Sequence, residues 1–200
     1  METRTDRSEA TLGAIVETAL DMALAEGLNS LSLGEVAKRA GMSKSGVFSR
    51  IGSREALQKA VIDEYGKRFL QDVFVPAMRE PRGLPRLQAI MHLSIERVRK
   101  VERHTGCLYS AGAFEFDDCD GPLRDLLLEH VLHWRATLRR SVDQAIEVGH
   151  LRADTDAEQL VFELDGLLVV LIREARFLRD PHACDRAWAA YERLIRSVTT

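Results

Sequence analysis

The sequence predicts an all-α fold. Apolar residues recur at i, i+3 and i+4 through long stretches of Ala, Leu, Glu and Arg. Alternating β-branched runs are few, and a Gly or a capping residue marks most of the breaks. Leu12, Ile15, Val16, Ala19, Leu20, Ala23 and Leu24 trace a first helix that stops at Gly27, the residue type that closes a helix with a left-handed turn. Ser32-Leu33-Gly34-Glu35 has the form of a capping box, in which the serine hydroxyl and the glutamate satisfy amides at a helix start. The short second helix that follows carries Val36, Ala37 and Ala40 and ends at Gly41. Ser43 offers the N-cap of a third short helix, from Lys44 to about Ile51. Gly52-Ser53 repeats the stop and the cap. A longer fourth helix then begins near Arg54, with Leu57, Val61, Ile62 and Tyr65 on one side.

Pro76, Pro81, Gly83 and Pro85 break the chain before a helix from about Leu84 to Val101. After Gly106 the apolar segment CLYSAGAF leads into an acidic loop, Glu115 to Asp120. Pro122 suits a first helical position, and Leu127, Val131, Trp134, Leu138, Val142 and Ala145 form the stripe of a helix that ends near Gly149. Asp154-Thr155-Asp156 caps the next helix. Its centre, Leu160 to Ile172, is apolar on nearly every side except at Glu163 and Asp165, so it needs cover from the core and from a second subunit. Those two carboxylates must be paired, exposed or in contact with a ligand, and Arg173 or Arg176 across the subunit interface would serve as partners. The last helix starts at Asp180-Pro181 and aligns Ala187, Trp188, Tyr191, Leu194, Ile195 and Val198.

A length of 200 residues with 46% apolar content is enough for a substantial core. The net charge of −3 confines any phosphate contact to a local patch. Cys107, Cys119 and Cys184 have no paired or C-x-x-C spacing, which fits a reducing compartment. The N-terminus lacks a signal-peptide core, and the apolar run Leu167 to Ile172 is too short to span a bilayer. The expectation is a soluble, cytoplasmic protein that makes no membrane contact.

The local basic patch is Lys38, Arg39, Lys44, Arg50 and Arg54, a segment without a carboxylate. Two short helices with a tight Gly-containing turn, braced by a longer preceding helix, form a helix-turn-helix arrangement. The second of them carries Lys44, Ser45, Phe48 and Arg50 as outward candidates, with Val47 and Ile51 as anchors. Gly46 suits a close approach of a DNA backbone. A solvated basic hairpin is the plainer alternative.

The first 60 or so positions resemble the DNA-binding domain of TetR-family transcriptional regulators. The likeness rests on Ser32-Leu33-Gly34-Glu35-Val36-Ala37, Ala40-Gly41-Met42-Ser43, Val47-Phe48 and Ser53-Arg54-Glu55-Ala56-Leu57, in that order. PRGLPRL at 81–87, GCLYSAGAFEFDD at 106–118 and GPLRDLL at 121–127 are similar to a large bacterial branch of the same family. The resemblance implies a DNA-binding domain over 1–56 and an effector-binding and dimerisation domain over 57–200. It also implies Ser32, Ser43, Lys44, Ser45, Phe48, Arg50 and Arg54 as DNA contacts. Phe48 and Arg50 stand where the family often has tyrosine and histidine, and Ile51 stands in place of phenylalanine.

The second region offers Met91, Ile95, Phe114, Trp134, Leu138, Phe162 and Leu168 as effector-pocket residues, each of which also reads as ordinary core. His130 and His133, at i, i+3, lack a second motif to complete a metal site. No cofactor motif and no nucleophile with a base in sequence reach is present, so an enzyme is not expected. The whole reading is a homodimer through the last two helices that binds a palindromic duplex operator. It acts as a repressor released by a small, largely apolar effector. The alternative is a ligand-independent DNA-binding or dimeric scaffold protein.

Overall fold

The computed structural model describes residues 4–199, with side chains from Ser8 onward. Nine principal helices form among the described residues: α1 Arg4–Glu26, α2 Leu33–Arg39, α3 Lys44–Ile51, α4 Arg54–Phe69, α5 Leu84–Arg97, α6 Leu108–Glu115, α7 Pro122–Glu147, α8 Ala157–Ile172 and α9 Ala183–Val198. The described residues contain no strand, only an isolated bridge between Leu151 and Thr199. None of these helices is long and apolar enough to cross a membrane.

The described chain divides into two compact units, one of residues up to 67 with 107–129, the other of 68–106 with 130 onward. This division differs from a cut between 56 and 57, which would sever Leu57, Val61, Ile62 and Tyr65 of α4 from the core they share with α1 to α3. The segment 107–129 also belongs to the first unit. Leu108, Phe116 and Leu127 are buried in the same cluster as Ile15, Leu20, Val36 and Val47, and Tyr109 meets Tyr65 edge-on at 5.0 Å between ring centroids.

The caps read from sequence organise these helices. Ser32 Oγ accepts from the Glu35 amide at 3.2 Å and Ser43 Oγ from the Gly46 amide at 3.0 Å. Asp156 accepts from the Glu158 and Gln159 amides at 3.1 and 3.0 Å. Three expectations needed correction. CLYSAGAF is not a plain connector but contains α6. α4 does not stop before Pro76: a π-helical turn, Leu70–Phe74, carries it into a last turn, Val75–Ala77, and a widened turn is a usual accommodation for an interruption of the hydrogen-bond ladder. α9 begins at Ala183 rather than at Asp180, because Asp180 folds the preceding turn, accepting from the His182 amide at 2.9 Å and from Arg186 at 2.6 Å.

Side chains from two other helices hold the 3-10 turn Leu28–Ser30 that follows α1. Glu115, at the end of α6, accepts from the Leu28 and Asn29 amides at 2.9 and 2.6 Å. Gln58, buried on α4, donates to Leu28 O at 2.8 Å, and Arg54 donates to Asn29 O at 2.5 Å. Gly27 has φ 89°, which favours glycine, and a Cβ there would crowd Glu115 Oε1 at 3.1 Å.

In the second unit Leu87, Ile90, Met91, Leu138, Val142, Leu160, Leu164 and Tyr191 are buried together. A further cluster gathers Ile95, Val98, Leu171 and Cys184. The π-helical turn Val98–Glu102 ends α5 and has a structural consequence. Its five-residue spacing sets Glu102 against Arg97, whose Nε donates to Glu102 at 2.9 Å with both side chains buried. Arg97 also pairs closely with Asp72 and lies 5.7 Å from the Phe69 ring centroid. Burying a guanidinium requires this completeness of pairing.

Replacing Glu115 with alanine strips two backbone amides of a charged acceptor and should lower unfolding free energy by about 2 kcal/mol. Urea denaturation measures it, with the exposed Asp120→Asn as the control expected to stay within about 0.5 kcal/mol of the parent.

Candidate nucleic-acid interface

α3 is short and is held by one fully buried side chain, Val47, whose burial stabilises it by roughly 1.5–3 kcal/mol. That anchoring turns Lys44, Ser45, Phe48, Ser49 and Arg50 outward, all exposed, and Phe48 is 58% accessible. An exposed phenylalanine on a short, capped, basic helix is not accounted for by packing.

The chemistry of this face is finer than a count of positive charges. Arg39 is held by Glu26 at 2.6 Å and by Glu35 at 3.6 Å, and the Glu26 hydrogen bond raises its pKa above the ordinary arginine value. Its charge is therefore offset within the unit, and Glu35 faces Arg39. Arg54, though exposed, donates to Asn29 O and serves the clamp on the 28–30 turn. Lys44 and Arg50 remain as the outward cations of α3, with Arg50 Nη1 donating back to Gly46 O at 2.9 Å. Gly46 itself has a local reason to be glycine, since a Cβ would sit 3.0 Å from the capping Ser43 hydroxyl. Ser32, Ser43 and Ser53 cap α2, α3 and α4 by accepting amide hydrogens, and the Ser43 hydroxyl also shares a hydrogen bond with that of Ser45 at 3.2 Å, so the hydroxyl hydrogens of Ser32 and Ser53 are the ones left to donate outward.

The sequence-predicted DNA contacts thus divide. Ser43, Lys44, Ser45, Phe48 and Arg50 share α3 and its cap, Ser32 stands at the start of α2, and Arg54 sits at the surface with its guanidinium on Asn29 O. Sequence reasoning missed Glu115 and Gln58, which hold the turn that precedes α2. The FEFDD motif was the available signal, and its acidity was read as that of a loop.

The predicted effector residues do not converge. Met91 and Leu138 are buried in solid core and Ile95 belongs to the neighbouring cluster. Phe114 is 70% exposed on α6 in the first unit, and Phe162 is 62% exposed on α8, so neither lines a cavity. Trp134 packs edge-on against Phe69 at 5.6 Å between centroids and donates its Nε1 hydrogen to Asp165 at 3.0 Å. Leu168 packs on the core. Asp165 also accepts from Arg135 at 3.0 Å, so its partners lie on α7 rather than at Arg173 or Arg176, and Glu163 accepts from Gln159 at 3.0 Å. The second unit instead has a groove of about 610 Å³, where Ile95 is the one lining residue among those seven. Among the described residues no three His, Cys, Asp or Glu side chains converge as metal ligands.

Residues 15–61 match the family described as bacterial regulatory proteins, tetR family, and residues 83–191 match the tetracyclin repressor-like C-terminal domain. No curated protein sequence matches the chain. Among solved structures, a TetR-family transcriptional regulator from Cytophaga hutchinsonii is similar with a TM-score of 0.82 at 20% identity, covering 97% of each chain. A TetR transcriptional regulator from Chloroflexus aurantiacus has a TM-score of 0.83 at 20% identity, over 95% of this chain and 94% of that one. AibR, solved in complex with isovaleryl coenzyme A and operator DNA, has a TM-score of 0.67 at 22% identity, over 82% of this chain and 86% of its own. Identities this low speak for the fold. The two sequence matches, one across the helix-turn-helix and one across more than half of the chain, go further: the chain belongs to the TetR family of DNA-binding transcriptional regulators.

Proposed function

We propose that the chain is a homodimeric repressor that binds a palindromic operator through α3 and leaves it when a small molecule binds the second unit. The observation that carries this reading is the outward face of α3, where Lys44, Phe48 and Arg50 are exposed around the buried Val47. Lys44 and the hydroxyls of Ser32, Ser43 and Ser45 suit phosphate oxygens, which position a protein on DNA without reading sequence. Phe48 offers apolar contact to a thymine methyl, and Arg50 a bidentate contact to guanine once it gives up its bond to Gly46 O. Arg54 serves first as part of the clamp and stands at the start of α4, where it supplements phosphate contact.

A stripe on α8 supports two-fold symmetry. Phe162, Val169 and Val170, with Phe177 on its π-helical extension, are exposed along one side of the helix, and a Cβ at Gly166 among them would meet nothing within 4 Å. An apolar face with a gap for close helix approach suits a self-complementary contact, with the charged outer side of α9 at its flank. Half-sites of the operator would then lie roughly 34–36 Å apart, or further by part of a turn. AibR, in complex with isovaleryl coenzyme A and operator DNA, is a precedent for a small ligand and operator DNA on one protein of this fold. Release works by linkage: a ligand that favours the state with wrongly spaced recognition helices weakens DNA binding by its differential affinity. A dimeric DNA-binding protein without an effector is the rival reading, favoured by the solid packing of Met91 and Leu138.

On a duplex selected for tight binding, Lys44→Ala should weaken all sequences alike and flatten the salt dependence by about one unit of slope per half-site. Arg50→Ala should cost about 1–3 kcal/mol and relax preference at one base pair of each half-site. Fluorescence anisotropy over a salt series reads both, and parental behaviour of both variants would remove α3 from the interface. Phe162→Glu, an exposed change, should leave the thermal midpoint nearly unaltered. The same variant should sediment as a single chain and lose operator affinity at least tenfold.

A further inference from the structure

We infer that the groove between α5 and α9 is a binding site for a small organic cation with a bulky apolar body. The groove holds about 610 Å³, within the range of about 300–1,000 Å³ usual for small-molecule sites. Ala89, Ile95 and the indole of Trp188 give it an apolar wall. Its lining carries the carboxylates of Glu80, Glu96 and Asp185 and the guanidinium of Arg99, and Lys100 pairs with Glu96 from beside the groove at 3.5 Å, so three negative charges meet two positive ones. Arg99 is moreover committed, its Nε to Glu96 at 2.9 Å and its Nη2 to Asp185 at 2.8 Å. An anionic ligand would therefore meet carboxylates and no uncommitted arginine. A cation finds a net negative lining together with an apolar wall that includes the indole of Trp188.

The aromatic wall is fixed in place. Trp188 stacks on Tyr191 with 5.0 Å between centroids and 29° between planes, and His92 meets it edge-on at 5.3 Å. Behind it the buried Tyr191 hydroxyl has no hydrogen-bond partner, so no polar contact of that hydroxyl seals the α5–α9 seam. The Arg99–Asp185 pair is an ionic tie from the α5 side to α9. A ligand cation competing with Arg99 for Asp185 and Glu96 acts directly on that tie, which gives binding a means to change how the two helices are held. Binding rests only on the groove, whereas its role as the effector site rests on the repressor reading above.

Tetraphenylphosphonium and tetraphenylborate have the same shape and opposite charge, and they separate charge recognition from simple stickiness. Titrated calorimetrically into the full-length protein, the cation should bind once per chain and at least tenfold more tightly than the anion. It should quench tryptophan emission in the parent and less so in Trp188→Phe. The double variant Glu80→Gln, Asp185→Asn, verified as folded by circular dichroism, should weaken the cation at least tenfold. Equal affinity for the two ions, no binding of the cation, or unaltered affinity in the double variant would overturn the site. A cation that binds as expected but leaves operator affinity unchanged overturns its role as effector site and leaves the groove standing. Failure of the ion-free protein to bind any operator overturns the repressor reading alone.

Discussion

The first unit turns on the hydrogen bonds that hold the 3-10 turn between α1 and α2. Four backbone groups in two residues, the amides and carbonyls of Leu28 and Asn29, are met by Glu115, Gln58 and Arg54. A turn this short has no repeating ladder of its own, so side chains supply partners for its polar groups, at the buried Leu28 where water is excluded and at the exposed Asn29 beside it. Because α2 begins only a few residues later, the clamp helps set where α2 and α3 stand relative to α1 and α4. A charged acceptor from α6 thus supports the turn that leads into α2, in keeping with the place of residues 107–129 in the same compact unit.

Much of this architecture was legible in the chain. Local rules act over three or four residues, and so Ser32, Ser43 and Asp156 declare themselves as caps and Val47 as an anchor. Glu115 did not declare itself, because its partners lie 86 and 87 positions away and a contact of that range leaves no spacing signature. α6 was hidden for a related reason: nearly every residue of CLYSAGAF is apolar or small, which erases the helical period. The effector residues failed differently. A large side chain on an apolar stripe looks the same whether it lines a cavity, fills a core as Met91 does, or faces outward as Phe162 does. The groove was missed because ionic residues such as Glu96, Arg99 and Asp185 read as solvated surface.

The second unit combines a tightly packed interior with ionic features that need explanation. Arg97 and Glu102 are buried as a pair made possible by a π-helical turn, and an incomplete pair at that depth would be costly. In the groove, partial burial pushes the Glu96 pKa upward, but hydrogen bonds from Arg99 and the neighbouring Lys100 outweigh it and the net shift is downward. Asp185 is likewise lowered, by its hydrogen bond from Arg99. Both groups are therefore ionised at neutral pH, and the groove keeps its negative character under physiological conditions. Cys184 is buried nearby, and burial pushes its thiol pKa up, which disfavours the reactive thiolate.

The central claim is that α3, displayed twice by a symmetric dimer, reads a palindrome. Selection from a random duplex library with the purified protein at near-physiological salt, followed by sequencing of the bound fraction, tests it most directly. The account predicts enrichment of a two-fold symmetric motif that is lost when Lys44 and Arg50 are both replaced by alanine. A folded, dimeric protein that enriches no symmetric motif, or one whose motif survives that double replacement, would contradict it.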